Sequence, residues 1–169
     1  MTSGEKLASD LGAPLSEVDG LRLTPMLCGS EEGGARVLTR TDYLFELKLD
    51  GVRIIADKRG SRVSLGYRKL RDATRSYPEI ADAVSTLAEE RLVLDGEICA
   101  FDAEGKPDFQ LLSHRIQAPP RSSLRAAVKI PVAYFVFDLL AIGDRDLRPL
   151  PIEARRAVLA RVVPEVLVR

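Results

Sequence analysis

Alternation of apolar and polar side chains in the first half of the chain predicts β-strands. Every second residue over positions 43–49 is apolar, so an extended strand over 43–50 would have one apolar face. Glu46, Lys48 and Asp50 would share the opposite face with a leucine. Gly51 would then permit a sharp turn into the next strand.

The pattern continues with a second strand over residues 52–58 and a return strand over 62–67, joined by a hairpin through Arg59-Gly60-Ser61. The rest of the chain mixes helical and strand periodicity. The predicted segments are a helix over 78–90, a strand over 91–102, a turn over 102–107, a short helix over 109–116, a break at Ala118-Pro119-Pro120, a strand over 132–141 and a helix over 151–163.

This order predicts an α+β domain, with antiparallel sheets and flanking helices, over residues 21–169. Residues 1–20 are polar and rich in small side chains, which predicts a mobile arm with no assigned fold.

The balance of charges limits how the protein could bind nucleic acid. The 25 basic and 25 acidic residues cancel, so no global positive field attracts nucleic acid, and any such contact needs a local patch. The candidate patch follows the segment over residues 48–53, and a solvated basic surface is the alternative interpretation. Its members are Arg59, Arg62, Arg68, Lys69, Arg71 and Arg75.

Other composition signals point to an intracellular protein. Cys28 and Cys99 are far apart and lack histidines at metal-ligand spacing, which indicates reduced thiols. No apolar run reaches the ~18 residues of a membrane span, and residues 1–20 lack the apolar core of a signal peptide. We therefore expect a cytoplasmic location. We interpret His114, in the short predicted helix, as structural.

Lys48 is the candidate nucleophile. A lysine attacks only when neutral, and a free lysine, with a pKa of about 10.4, is almost entirely charged at physiological pH. Desolvation, a nearby cation such as Arg53, or a metal or base would be needed to activate it, because adjacent carboxylates act in the opposite direction. A charged solvent face on a half-buried strand is the alternative for this pattern.

Lys48-Leu49-Asp50-Gly51-Val52-Arg53 resembles the lysine motif K-x-D-G-x-R of the covalent nucleotidyltransferases. That superfamily comprises ATP-dependent DNA ligases, RNA ligases and mRNA capping enzymes. Leu94-Asp95-Gly96-Glu97 resembles its D-G-E motif, and residues 134–140 resemble its aromatic-Asp strand, in matching order and spacing. Pro25-Met26-Leu27, Tyr77-Pro78-Glu79 and residues 109–115 and 150–156 resemble bacterial and archaeal ATP-dependent DNA ligases in particular.

The resemblance implies that Lys48 attacks the α-phosphate of ATP with the help of Mg²⁺, expels pyrophosphate and becomes a lysyl-adenylate. AMP would then pass to the 5′-phosphate of a nick in double-stranded DNA, in repair or recombination. The other implied roles are Glu46 beside adenine, Asp50 and Gly51 shaping the lysine turn, Arg53 at the ribose or nick terminus, Glu97 at the ribose or metal ion, and Phe137 stacked on adenine. Core packing is the alternative for Phe137, and a surface carboxylate is the alternative for Glu97.

The match is poorest after the first hairpin. Arg68 resembles the family arginine that touches the ribose or the nick phosphate, but the usual Ser-Arg-Asn-Gly is here Tyr67-Arg68-Lys69-Leu70. A leucine in the glycine place predicts either strain at a positive φ or a changed loop.

The family domain continues into a Glu-Gly motif, a Lys-x-Lys motif and an oligonucleotide-binding barrel, and this chain ends at Arg169 before them. The resemblance therefore implies a C-terminally truncated ligase, inactive alone and weak in binding nicked DNA, whose partners could include the missing part or other repair proteins. An RNA ligase or capping-type enzyme, and an inactive remnant that binds nucleotide or DNA, remain as alternatives.

Overall fold

The computed structural model describes residues 1–26, 38–117 and 123–164. The helices are α1 (Ser3–Asp10), α2 (Pro78–Ser85), α3 (Phe109–Gln117), α4 (Ser123–Lys129) and α5 (Ile152–Val162), with a short 3-10 helix at Gly20–Arg22. The strands are β1 (Val52–Arg59), β2 (Arg62–Tyr67), β3 (Arg91–Ala100), β4 (Val132–Ile142) and β5 (Arg145–Asp146).

The strands form one antiparallel sheet in the order β2-β1-β3-β4-β5. One face packs on helices, and its alternating apolar side chains form the main core. Ile54, Leu65, Leu94, Ile98 and Leu139 are fully buried there. Burying a leucine or isoleucine side chain is worth about 1.5–3 kcal/mol, so this face provides most of the packing energy of the sheet.

The opposite face of the sheet carries a small cluster formed by Val18, Ile55, Val93 and Ala141, and beyond it the charged groups of the candidate site. Gly20 lies so close to the sheet that a Cβ there would come within 2.9 Å of a Val93 methyl group. The Gly20 N–H donates to the Asp57 carboxylate at 2.9 Å, which fixes the N-terminal segment across this face.

The expectation of a mobile arm over residues 1–20 is wrong. α1 begins with a capping box in which Thr2 and Glu5 satisfy each other's backbone N–H groups. Gly4 packs against Val162 of α5, and Ser16 N–H donates to the Asp144 carbonyl at 2.8 Å. Small residues here permit close packing rather than disorder.

The predicted strand over residues 43–50 is also wrong. Residues 43–49 join no strand pair within the described residues, and Leu44, Phe45 and Leu47 are 50%, 51% and 89% exposed. Tyr43 and Phe45 still stack at 6.4 Å between ring centroids, so the i, i+2 relation of an extended chain persists. Alternation sets the local conformation, but a strand also needs a neighbour to pair with.

The other predicted elements match closely. The hairpin of β1 and β2 turns at Gly60, with φ of +60°. α2 ends at Ser85, five residues before the predicted end at 90, where the hydroxyls of Ser85 and Thr86 donate to the carbonyls of Asp82 and Ala83. The sequence did not predict α4, and the Ala118-Pro119-Pro120 break lies outside the described residues. No helix among the described residues is long and apolar enough to cross a membrane.

Candidate active site

A cleft of about 430 Å³ opens where the start of β1 meets the end of β2 and the middle of β3. It contains most of the cations that the sequence placed near a nucleotide. Its lining consists of Gly51, Val52, Arg53, Tyr67, Arg68, Lys69, Arg71 and Glu97. The lining is strongly cationic in a chain whose formal net charge is zero, so the positive potential is local.

Gly51 brings the lysine motif against β3. A Cβ at this position would lie 2.3 Å from the Ile98 carbonyl oxygen and 2.6 Å from the Cys99 sulfur, both far inside contact distance. The φ of Gly51 is not positive, so the expected role in a special turn conformation is replaced by a steric one. Glycine is required here because two backbone segments touch.

Gly96 of the D-G-E motif likewise permits a close approach between backbones, here between β3 and β4. Its Cβ would lie 2.4 Å from the Phe135 carbonyl oxygen. β3 and β4 slip in register at this point: Asp95 pairs with Asp138, Gly96 pairs with Val136, and Phe137 is the extra residue of a bulge. Such a bulge re-aims side chains, and here it places Phe137 beside the charged groups of the site.

The Arg53 side chain is fixed by contacts on three sides. Its Nε and Nη2 atoms donate to the Asp95 carboxylate at 2.9 and 2.7 Å, and Nη1 donates to the Met26 carbonyl at 2.7 Å. The guanidinium lies over the Phe137 ring, 5.3 Å from its centroid. Bidentate pairing and stacking together orient a planar cation more firmly than either contact alone.

A second bidentate pair supports the first. Arg155 of α5 donates to both oxygens of Asp138 at 2.8 and 2.6 Å and to the Leu150 carbonyl at 2.7 Å. Burial raises the pKa of Asp95, the Arg53 guanidinium opposes that rise, and the negative charge of Asp138 adds to it. The sequence analysis assigned no role to Asp95, Asp138 or Arg155. The spacing of Asp95, two residues before Glu97 on the same strand, could have placed both carboxylates on one face of the sheet.

Glu97 and Lys48 are electrostatic neighbours. Burial raises the pKa of Glu97, whereas Arg53, a hydrogen bond from the Gly51 N–H and the charge of Lys48 each lower it. Lys48 is exposed, immediately before the Gly51 contact. The site thus presents an accessible amine beside a carboxylate that the protein only partly shields from water.

Neither Glu46 nor Asp50 lines the cleft. Glu46 forms an ion pair with Arg156 of α5 rather than lining the cleft. Asp50 is exposed, and its charge, like that of Glu97, raises the pKa of the buried Cys99 thiol, for which burial is the main cause. The structure therefore brings Gly51, Arg53, Arg68 and Glu97 together in the cleft lining. Lys48 is not part of that lining, but its charge acts on Glu97. Phe137 lies against the Arg53 guanidinium.

The turn that carries Arg68 resolves the two possibilities left by the sequence. Leu70 has φ of +58°, so the leucine occupies the left-handed conformation that glycine would adopt without strain. The Leu70 N–H donates to the Tyr67 carbonyl at 2.8 Å, and the Tyr67 N–H donates to the Arg71 carbonyl at 2.9 Å. Leu70 therefore carries the strain that the sequence predicted as one possibility, and Arg68 and Lys69 stand exposed in the turn.

Five of the six residues of the predicted basic patch fall into two groups at opposite ends of β2, and Arg75 is exposed farther along the chain. Arg59 and Arg62 face each other at the hairpin end, and Arg59 is paired with Asp57 and Glu17. Arg68, Lys69 and Arg71 lie at the cleft end. The six residues of β2 separate the groups by roughly 17 Å.

The histidine and the arginine next to it differ sharply. His114 is exposed on α3, whereas Arg115 is 1% exposed and donates to the Ser76 carbonyl, the Ile130 carbonyl and Glu79. The structural residue of this motif is therefore the arginine. No group of three or more acidic, histidine or cysteine side chains that could hold a metal occurs in the described ranges.

Comparisons with known proteins agree with this geometry. The family described as the ATP dependent DNA ligase domain matches residues 25–168. A probable DNA ligase of Streptomyces coelicolor is 37% identical over 88% of this chain and 30% of its own length. DNA ligase C of Mycobacterium tuberculosis is 40% identical over 72% of this chain and 34% of its own length.

Solved structures show the same relationship. The LigD ligase domain of M. tuberculosis superposes with a TM-score of 0.55 at 27% identity, over 69% of this chain and 35% of that one. A mycobacterial DNA ligase D complexed with ATP and MES gives a TM-score of 0.53 at the same identity. The chain spans about a third of the length of these relatives. It belongs to the ATP-dependent DNA ligase domain family.

Proposed function

We propose that this chain supplies the nucleotide-binding part of an ATP-dependent DNA ligase and that Lys48 is the residue that becomes adenylated. The observation that carries the proposal is a cationic cleft lined by Gly51, Arg53 and Glu97, with the charge of Lys48 acting on Glu97. Family membership supports ATP as the nucleotide, and the similar relatives described above are DNA ligases, which favours DNA over RNA or a cap.

In the proposed first step, the lone pair of neutral Lys48 Nζ forms a bond to the α-phosphorus of ATP. The bond from that phosphorus to the bridging oxygen breaks, pyrophosphate leaves with the electron pair, and the Nζ proton passes to solvent. AMP then moves to the 5′-phosphate of a nick, and the 3′-hydroxyl displaces AMP to form the phosphodiester. Such phosphoryl transfers depend mainly on positioning and on neutralising charge.

Glu97 is the residue that would hold magnesium beside the bound nucleotide. Mg²⁺ commonly takes one or two protein carboxylates together with substrate phosphates, so a single carboxylate on the cleft wall fits this mode. When bound, the ion would neutralise negative charge on the phosphates.

The adenine contact follows from the position of Phe137. One face of its ring is covered by the Arg53 guanidinium, so we propose that adenine stacks on the other face. Arg53 would then act by fixing this ring and the adjacent ribose site, because its guanidinium donates to Asp95 and to the Met26 carbonyl. Arg68, exposed in the turn, remains the proposed contact to the ribose or the nick phosphate.

The test is covalent labelling with α-labelled ATP and magnesium. Label that survives denaturation, is released by acid and disappears in Lys48→Ala would support the proposal. Lys106→Ala is the matched control, since Lys106 is an exposed lysine in the turn between β3 and α3. Equal labelling of the unmodified chain and Lys48→Ala would overturn the assignment.

A further inference from the structure

We propose that the turn after β2 binds the phosphodiester backbone of the DNA duplex through Lys69 and Arg71, in addition to the role proposed for Arg68. This inference rests on the proposed ligase function and names the surface of the site that faces the duplex. The basic turn is defined here as residues 68–71.

The first argument is charge pairing. Arg53, Arg59, Arg91 and Arg155 on the sheet and α5 are each held by a carboxylate. Among the described residues, Arg68, Lys69 and Arg71 form no ion pair, and all of them are exposed. The nearest acid along the chain, Asp72, instead accepts hydrogen bonds from the backbone N–H and the hydroxyl of Thr74.

The second argument is presentation. Arg71 lies over the Tyr67 ring, 5.5 Å from its centroid, so its guanidinium is held at the turn rather than folded back onto the sheet. Lys69 is exposed in the same turn and lines the cleft. Clustered cations on one wall of a cleft raise the local concentration of a polyanion even when the net charge of the protein is zero.

The third argument is the strained backbone. Leu70 keeps the turn in a shape that most residues disfavour, and strain of this kind is retained where the surroundings or a function require it. The shape places Lys69 on one side of Leu70 and Arg71 on the other, both at the cleft. A relaxed turn would present these side chains differently.

Two phosphate sources could use these cations, the triphosphate of ATP and the DNA backbone. The cations of the turn lie close together in sequence and are exposed, which suits a long polyanion rather than a small enclosed ligand. We therefore assign Lys69 and Arg71 to the duplex, and the experiment measures both ligands.

The experiment measures equilibrium binding of a labelled nicked duplex, without ATP, across a salt series from about 20 to about 200 mM. Removing one cation that neutralises a phosphate should reduce the slope of log K against log salt by about 0.9. We expect this reduction for Lys69→Gln and no change for Arg62→Gln. The control removes the same charge from an exposed residue at the other end of β2.

Equal slopes for the two variants would overturn the assignment. So would a Lys69→Gln effect on ATP binding, measured by calorimetry, with unchanged duplex binding. Because the duplex assay contains no ATP, a failure of Lys48 adenylation would leave its result intact, and the two proposals fail separately. A duplex of unrelated sequence should bind equally well, since phosphate contacts do not read sequence.

Discussion

Replacing Leu70 by glycine and by alanine should reveal the strain in the basic turn. Among the described residues, Leu70 is the only non-glycine residue with a positive φ, and it is 53% exposed. A left-handed conformation costs an L-residue about 1–2 kcal/mol. Glycine avoids that cost but loses about 0.5–1 kcal/mol of backbone entropy relative to alanine.

Both substitutions remove the leucine side chain, so the packing energy of that side chain largely cancels in the comparison. Leu70→Gly should therefore be more stable than Leu70→Ala by about 0.5–1 kcal/mol. For a chain of this size, about 1 kcal/mol corresponds to roughly 2–4 °C in Tm. Thermal and urea unfolding followed by circular dichroism would measure the difference.

Lys69 provides the control because it is the adjacent exposed residue and its φ is not positive. There the order should reverse, with Lys69→Ala more stable than Lys69→Gly by about 0.5–1 kcal/mol. If alanine were as stable as glycine at position 70, the argument from strain would be wrong.

Four further outcomes are expected. Burial raises the pKa of Cys99 to about 12, so with the other cysteine replaced by serine its thiol should resist Ellman's reagent near neutral pH until denaturant is added; rapid labelling of the folded chain would contradict this. Lys48→Met should raise the pKa of Glu97 further, because the lysine charge lowers it, and an unchanged carboxyl titration by NMR would exclude their proximity. Since burial raises this pKa in the folded state, the contribution of the Glu97 carboxyl to stability should be greatest at acid pH and be lost as pH rises through the folded pKa. Phe137→Ala should weaken ATP binding more than Phe135→Ala, because only Phe137 touches Arg53, and equal losses by calorimetry would assign both rings to packing.

Local patterns predicted the parts of the fold that local physics decides. β2 begins and ends at the predicted residues, and α3 and α5 fall within one residue of theirs, because turn residues and apolar periodicity specify these boundaries directly. The segment over residues 43–50 has an equally clear alternation and still forms no strand. Pairing depends on a distant neighbour, and periodicity carries no information about whether that neighbour is present.

The site shows the same division. Motif order located Lys48, Arg53, Arg68 and Glu97. The strand register pairs Arg53 with Glu97, and both line the cleft with Arg68. Asp95 orients Arg53 through a diagonal contact between β1 and β3, and the two residues are 42 positions apart in sequence. The pairing of Glu46 with Arg156 of α5 depends on tertiary packing, which a motif comparison does not describe.

The way the N-terminal segment packs has a practical consequence for defining the smallest autonomous folding unit. The family match begins at residue 25, and a boundary drawn there would remove α1 and the cover over the Ile55 and Val93 cluster. Loss of the buried Val18 side chain alone would forfeit about 1.5–3 kcal/mol, a sizeable share of the stability of a typical domain. If a version trimmed at residue 25 precipitates or loses nucleotide binding, the cause would be the uncovered face of the sheet. A fusion partner is therefore better attached ahead of Thr2, beside the exposed Met1, than at the family boundary.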